Sequence, residues 1–178
     1  MISFKGIPFA LPPVNELRWR APLPPKTHND VLLANNYGDF CAQPNSALLW
    51  FELTSSSEDC LTLNIWTPGL GNSAELPVMV WIHGGGYMQG SGNVARLNSA
   101  KLTKAGVVLV TINYRLNAFG FMAHPRLSES QNSEIHANFG VLDAIQALNW
   151  VKNNISGFGG NPENITIFGE SAGGAMVN

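Results

Sequence analysis

The spacing of apolar and polar residues changes several times along the chain, and each change marks an element. From Asp59 to Thr67 the order Asp-Cys-Leu-Thr-Leu-Asn-Ile-Trp-Thr alternates apolar with polar, which predicts a half-buried strand. Pro68-Gly69 and Gly71-Asn72-Ser73 then break it. Residues 77–83, Pro-Val-Met-Val-Trp-Ile-His, form a short continuous apolar run that suits a strand buried on both faces and ends at Gly84-Gly85-Gly86. Residues 107–113, Val-Val-Leu-Val-Thr-Ile-Asn, make a second such run, and Ile165-Thr166-Ile167-Phe168 a third, which ends in Gly169-Glu170-Ser171-Ala172-Gly173. Between these runs the period lengthens. Asn98 to Lys104 has helical character with Gly106 as its stop. Over 138–153, Val141, Leu142, Ile145, Leu148 and Val151 recur at steps of three or four and predict a helix with one apolar face. Gly159-Gly160-Asn161-Pro162 reads as a turn, and the Leu-Pro-Pro repeats at 11–13 and 23–25 make residues 1–30 an extended segment over a surface.

Strands alternating with helices predict an α/β fold with a central, mostly parallel sheet. Loops at the carboxyl ends of such strands carry function, so 84–86 and 169–174 are expected on one edge of the sheet. The 178 residues, 45% apolar, suffice for one domain over 1–178. Charged residues are only 12%, about half the usual share, so much of the chain is buried or packs against something outside it. A formal net charge of −2 offers no basic surface for nucleic acid. No run of about 18 apolar residues predicts a membrane-spanning helix, and Met1-Ile-Ser-Phe-Lys-Gly lacks the pattern of a signal peptide. Cys41 and Cys60 either close a loop or stay as two buried thiols, and their spacing leaves both open.

Gly169-Glu170-Ser171-Ala172-Gly173 matches Gly-x-Ser-x-Gly, the pattern of a nucleophile held on a sharp strand-to-helix turn. Small flanking residues let helix and strand approach closely enough to push the serine hydroxyl outward. His83-Gly84-Gly85-Gly86 has the composition of an oxyanion loop, whose bare backbone presents N–H groups to a developing charge. A phosphate-cradling loop is the alternative, but no Gly-Lys-Ser/Thr and no spaced Gly-x-Gly-x-x-Gly accompanies it.

These motifs, with Gly6-Ile7-Pro8-Phe9-Ala10, Ser57-Glu58-Asp59-Cys60-Leu61-Thr62-Leu63-Asn64, Asn113-Tyr114-Arg115 and Phe158-Gly159-Gly160-Asn161-Pro162, resemble the type-B carboxylesterases, the cholinesterase-like branch of the α/β-hydrolases, over nearly the whole chain. The resemblance implies a partial α/β-hydrolase fold and hydrolysis of small-molecule carboxylic esters, with no metal and no organic cofactor. It implies Ser171 as nucleophile, the amides of Gly85, Gly86 and Ala172 as oxyanion hole, and a disulfide between Cys41 and Cys60. Glu170 lines the pocket beside Ser171 or is a carboxylate satisfied at the helix start. Trp50 faces substrate or plugs its loop with Leu48, Leu49 and Phe51. Arg18 is expected to pair with Glu58 and Arg115 with Asp143, both as structural contacts. Asn15 and Asn117 stand where the family has glycine, and asparagine tolerates the left-handed backbone glycine supplies.

In this fold the chain order is Ser, acid, His. His28, His83, His124 and His136 all precede Ser171 and none matches the family's base. The chain is therefore expected to be an N-terminal part truncated after the nucleophile, lacking the acid and the His and inactive alone. A non-catalytic cholinesterase-like binding protein and an inactive truncated product are the alternatives. The disulfide points to a secreted or periplasmic site, with a cytoplasmic one as alternative. Sequons occur at Asn154 and Asn164, the second expected on a buried strand. Oligomeric state is not legible.

Overall fold

The structure, a computed structural model, describes residues 1–27, 30–45, 52–70, 75–93, 99–129 and 137–178. In chain order the strands are β1 (Ile2–Pro8), β2 (Phe40–Cys41), β3 (Ser56–Ser57), β4 (Thr62–Thr67), β5 (Leu76–Ile82), β6 (Val108–Ile112) and β7 (Gly160–Gly169). The α-helices are α1 (Ser99–Lys104), α2 (Asn117–Phe121), α3 (Pro125–Glu129), α4 (Phe139–Asn154) and α5 (Ala172–Val177). Five strands form one sheet in the order β1-β4-β6-β5-β7, and β2 pairs with β3 apart from it. β5 runs parallel to β6 and to β7, whereas β4 is antiparallel to both β6 and β1. Four of the five strands thus point one way and β4 alone is reversed, the mostly parallel sheet of the α/β-hydrolase fold.

The two apolar runs at 77–83 and 107–113 form β5 and β6 in the middle of the sheet, where Val80, Val108, Val110 and Ile112 are fully buried. The alternating run behaves differently from its reading as half-buried. Every residue of β4 is buried, because β1 and β6 flank it and the side chains of Asn64 and Thr67 find partners inside the protein. The Asn64 amide donates to Gly92 O, Asn93 Oδ1 and Thr111 Oγ1, and Asn64 Oδ1 accepts the Gly6 amide. Residues 1–30 also depart from expectation, since Ile2–Pro8 pairs with β4 as an edge strand. The register shift between Phe4 and Ile7 falls at Gly6, whose φ of 67° hides the strand from a period-two reading. The turn read at 159–162 reaches only Gly159, with Gly160 opening β7. β7 pairs only with β5 among the described residues, so its residues beyond Gly160 are partly or fully exposed rather than buried, and Asn164 of the second sequon is exposed.

α4 is present as expected, but its buried face is a different one. Phe139, Gly140, Asp143, Ala144, Ala147 and Val151 are buried, while Ile145 is exposed. Small residues and a paired aspartate let the helix lie close against its neighbours, so residue size misleads there. Asp143 accepts from Arg115 at 2.7 and 2.8 Å, and the pair is almost wholly buried. Arg18 pairs with Glu58 at 2.5 Å in a more exposed setting. Asn15 and Asn117 take φ of 52° and 53°, the left-handed backbone expected of them. Cys41 and Cys60 are joined by a disulfide. No helix of the described residues is long and apolar enough to cross a membrane.

Candidate active site

β5 and β7 are neighbours and parallel, so the loops that follow them emerge on the same edge of the sheet. β7 ends at Gly169 and α5 begins at Ala172, which leaves Glu170 and Ser171 to turn the chain. Ser171 has φ 55° and ψ −122°, a backbone conformation that costs a side-chain-bearing residue on the order of 1–3 kcal/mol. The turn is fixed by hydrogen bonds from the Gly173 amide to Glu170 O at 2.9 Å and from the Ala175 amide to Ser171 O at 3.0 Å. It is also fixed by lack of space. A Cβ at Gly173 would come within 2.7 Å of His83 O, and one at Gly169 would meet the Gly173 backbone. The helix start therefore packs directly on the end of β5. Ser171 and Glu170 are exposed, and Ala172 is buried.

The glycine loop lies against this turn. A Cβ built on Gly84 would stand 2.5 Å from Glu170 O, 2.8 Å from Glu170 Oε2 and 3.0 Å from Ser171 Cβ. Only a glycine lets the two loops touch there. Gly85 and Gly86 have φ of 114° and 63°, and Gly85 O accepts the amides of Met88 and Gln89 at 3.1 and 3.2 Å, closing a tight turn. The side of Gly86 on which a Cβ would stand has no atom within 4 Å, so its backbone borders open space. A loop of this shape beside a strained, exposed serine can hold amide donors near the point where a carbonyl carbon would be attacked.

His83 braces the loop from behind. Its ring is stacked on Tyr114 with centroids 4.3 Å apart, and Nδ1 donates to Gly84 O at 2.8 Å. The Tyr114 hydroxyl donates to His83 O at 2.8 Å. Burial pushes the imidazole down to about 4, so it is neutral at ordinary pH, and Nε2 is buried with no hydrogen-bond partner. A proton-accepting role would need a ring nitrogen open to the serine, and this ring is enclosed. His124 is exposed, and its Nδ1 accepts the Arg126 amide. His28, His136 and Trp50 lie outside the described residues.

The network behind the glycine loop has fewer sequence signals. Asn113 Oδ1 accepts from Ser91 Oγ and from the Gly92 amide, both at 2.8 Å, and its Nδ2 donates to Asp39 O and Cys60 O. Asn113 and Asn64 stand in the motifs quoted above, so that signal existed. Nothing local marks Gln43, whose amide group bonds to the backbone of Gly90, 47 residues away. The described residues hold no cluster of His, Cys, Asp or Glu suited to a metal ion. A groove of about 820 Å³ involving Phe4, Pro25, Trp150 and Phe158 includes none of the residues around Ser171.

The carboxylesterase family model matches residues 1–178. The chain belongs to the carboxylesterase family. It is 47% identical over 178 residues to para-nitrobenzyl esterase of Bacillus subtilis, covering 98% of this chain and 35% of that protein. It is 44% identical over 175 residues to fumonisin B1 esterase of Sphingopyxis macrogoltabida, with 98% and 32% covered. It is 42% identical to acetylcholinesterase of Electrophorus electricus, with 99% and 29% covered. Among solved structures, a thermophilic PNB esterase aligns with a TM-score of 0.87 at 46% identity, covering 98% of this chain and 36% of that one. A Geobacillus stearothermophilus carboxylesterase aligns at 0.86 and 44%, with 98% and 35% covered. This carboxylesterase-family chain spans about a third of the length of the curated relatives it matches.

Proposed function

We propose that this chain is the nucleophile-bearing part of a serine esterase that hydrolyses small-molecule carboxylic esters through an acyl-Ser171 intermediate. The observation that carries the reading is the contact of the two loops at Gly84 and Ser171, where a single methyl group would not fit. Ser171 Oγ attacks the ester carbonyl while its proton passes to a base. The amides of Gly85, Gly86 and Ala172 receive the oxyanion. Collapse of the tetrahedral intermediate expels the alcohol, which takes the proton, and water then releases the acid by the same route in reverse. Glu170 borders the site without taking the proton.

A serine hydroxyl needs a base and a group to orient it. His83 is enclosed and neutral, His124 serves a local turn, and His28 and His136 precede Ser171, against the order Ser, acid, His, so this reading assigns the base and its acid to residues outside this chain and takes the chain alone as inactive. Relatives named for nitrobenzyl, fumonisin and acetylcholine ester cleavage fit carboxylic esters as the class and narrow it no further. The disulfide suits an oxidising compartment, secreted or periplasmic.

With an activated aryl ester, the enzyme carrying this chain should release a burst of one alcohol per active site before its steady rate. Ser171→Ala should remove the burst and lower turnover by about 10⁴-fold or more. Steady hydrolysis that survives Ser171→Ala, or no hydrolysis by the unaltered enzyme, would overturn the reading.

A further inference from the structure

The glycine loop from Gly84 to Gly90 is gripped by two amide side chains, Gln43 and Asn117, whose hydrogen bonds go to its backbone. On one side, Gln43 Nε2 donates to Gly90 O at 3.0 Å while Gln43 Oε1 accepts the Gly90 amide at 2.9 Å. The same Nε2 donates to Cys41 O at 3.0 Å, and the Gln43 amide meets Ser56 Oγ at 3.4 Å, so the grip is anchored beside the disulfide. Gly90 is buried, and a Cβ there would strike both Gly84 O and the His83 ring at Nδ1. A shift of Gly90 is therefore passed directly to the first glycine of the loop. On the other side, Asn117 Nδ2 donates to Met88 O at 2.7 Å, and the Asn117 amide donates to Tyr87 O at 2.8 Å. Its Nδ2 also lies 3.4 Å from Ala42 O, next to Gln43. The two grips thus meet at the segment 42–43.

We infer that Gln43 and Asn117 form a clasp that sets the shape of the oxyanion loop, making them positioning residues for the reaction proposed above, on which this inference rests. The loop just before the grips carries φ of 114° at Gly85 and 63° at Gly86, and Tyr87, whose carbonyl is held by the Asn117 amide, has a non-glycine φ of 62°. A segment in such conformations keeps its shape only where its surroundings over-determine it. The clasp supplies hydrogen bonds at Met88 and Gly90, on the far side of the turn from Gly85 and Gly86. Its effect belongs on transition-state stabilisation, because donors that shift with the loop lose the developing oxyanion more than the ground-state ester.

Asn117 allows a clean test, because its φ of 53° suits glycine, so Asn117→Gly deletes the side-chain bond to Met88 O without straining the backbone and keeps the amide bond to Tyr87 O. Gln43→Met keeps length and volume while deleting the hydrogen bonds. Each variant of the enzyme carrying this chain would be titrated with a fluorophosphonate, so that turnover is counted per reactive Ser171, and amide hydrogen exchange would be followed over residues 85–90. The expected result is a fall in kcat per titrated site of about tenfold for each variant with KM within about twofold. The double variant should lose less than the product of the two, since both act on one loop. Exchange at 85–90 should speed up in both. An unchanged kcat per titrated site, or a change confined to KM, would overturn the clasp while leaving Ser171 as nucleophile. If the unaltered enzyme fails to label at Ser171, the esterase reading itself falls.

Discussion

Gly84 is the residue at which the spacing of the site is set. A methyl group there must displace either Glu170 or Ser171, since the nearest atoms would lie 2.5 to 3.0 Å away. Gly84→Ala should therefore lower kcat by about ten- to a hundredfold, by separating the two loops, with a smaller change in KM. Steady-state kinetics with one ester would check this, and an unaltered kcat would count against the loop contact. His83 gives a pH dependence with a definite sign. Its folded-state value of about 4 lies below the ordinary 6.5, so the unfolded chain binds more protons between the two. The stability contributed by the neutral ring is present above about 6.5 and is lost as pH falls towards 4, up to about 3 kcal/mol. Urea midpoints measured from pH 7 to pH 4 should fall accordingly, and His83→Gln should flatten that part of the profile.

At the scale of elements, the sequence was informative where one residue pattern meant one environment. Continuous apolar runs became β5 and β6 because the middle of the sheet is covered on both faces. The alternation in β4 was misleading because Asn64 and Thr111 bond to each other and to the loop at 92–93 instead of to water. β1 escaped notice because prolines and the irregularity at Gly6 mask an edge strand. The buried face of α4 depends on Ala144, Ala147 and Asp143, and an aspartate is legible as buried only once its arginine is known. That pair belongs to the element scale, since it ties the end of β6 to α4. Asp143→Ala leaves the Arg115 guanidinium buried and uncompensated, and should cost about 3–5 kcal/mol in equilibrium unfolding. The Arg18–Glu58 pair is more exposed and should contribute far less, with whatever it gives declining in high salt.

For the whole molecule, the legible part was the juxtaposition. Two glycine-rich loops at the carboxyl ends of parallel strands had to share an edge, and the β6-β5-β7 order places them side by side. What the sequence did not reveal are links such as Gln43 to Gly90, where residues 47 positions apart meet through an amide side chain that has many possible partners. A chain matching about a third of its relatives' length carries the Gly-x-Ser-x-Gly turn, the glycine loop packed against it and the hydrogen bonds behind them. The central claim is that Ser171 becomes covalently acylated during ester hydrolysis. The most direct measurement treats the active enzyme with a fluorophosphonate and maps the adduct by peptide mass spectrometry. The account predicts one adduct per active site, on Ser171, appearing in step with loss of hydrolysis. Full inactivation with the adduct on another residue, or hydrolysis that persists after Ser171 is fully modified, would contradict it.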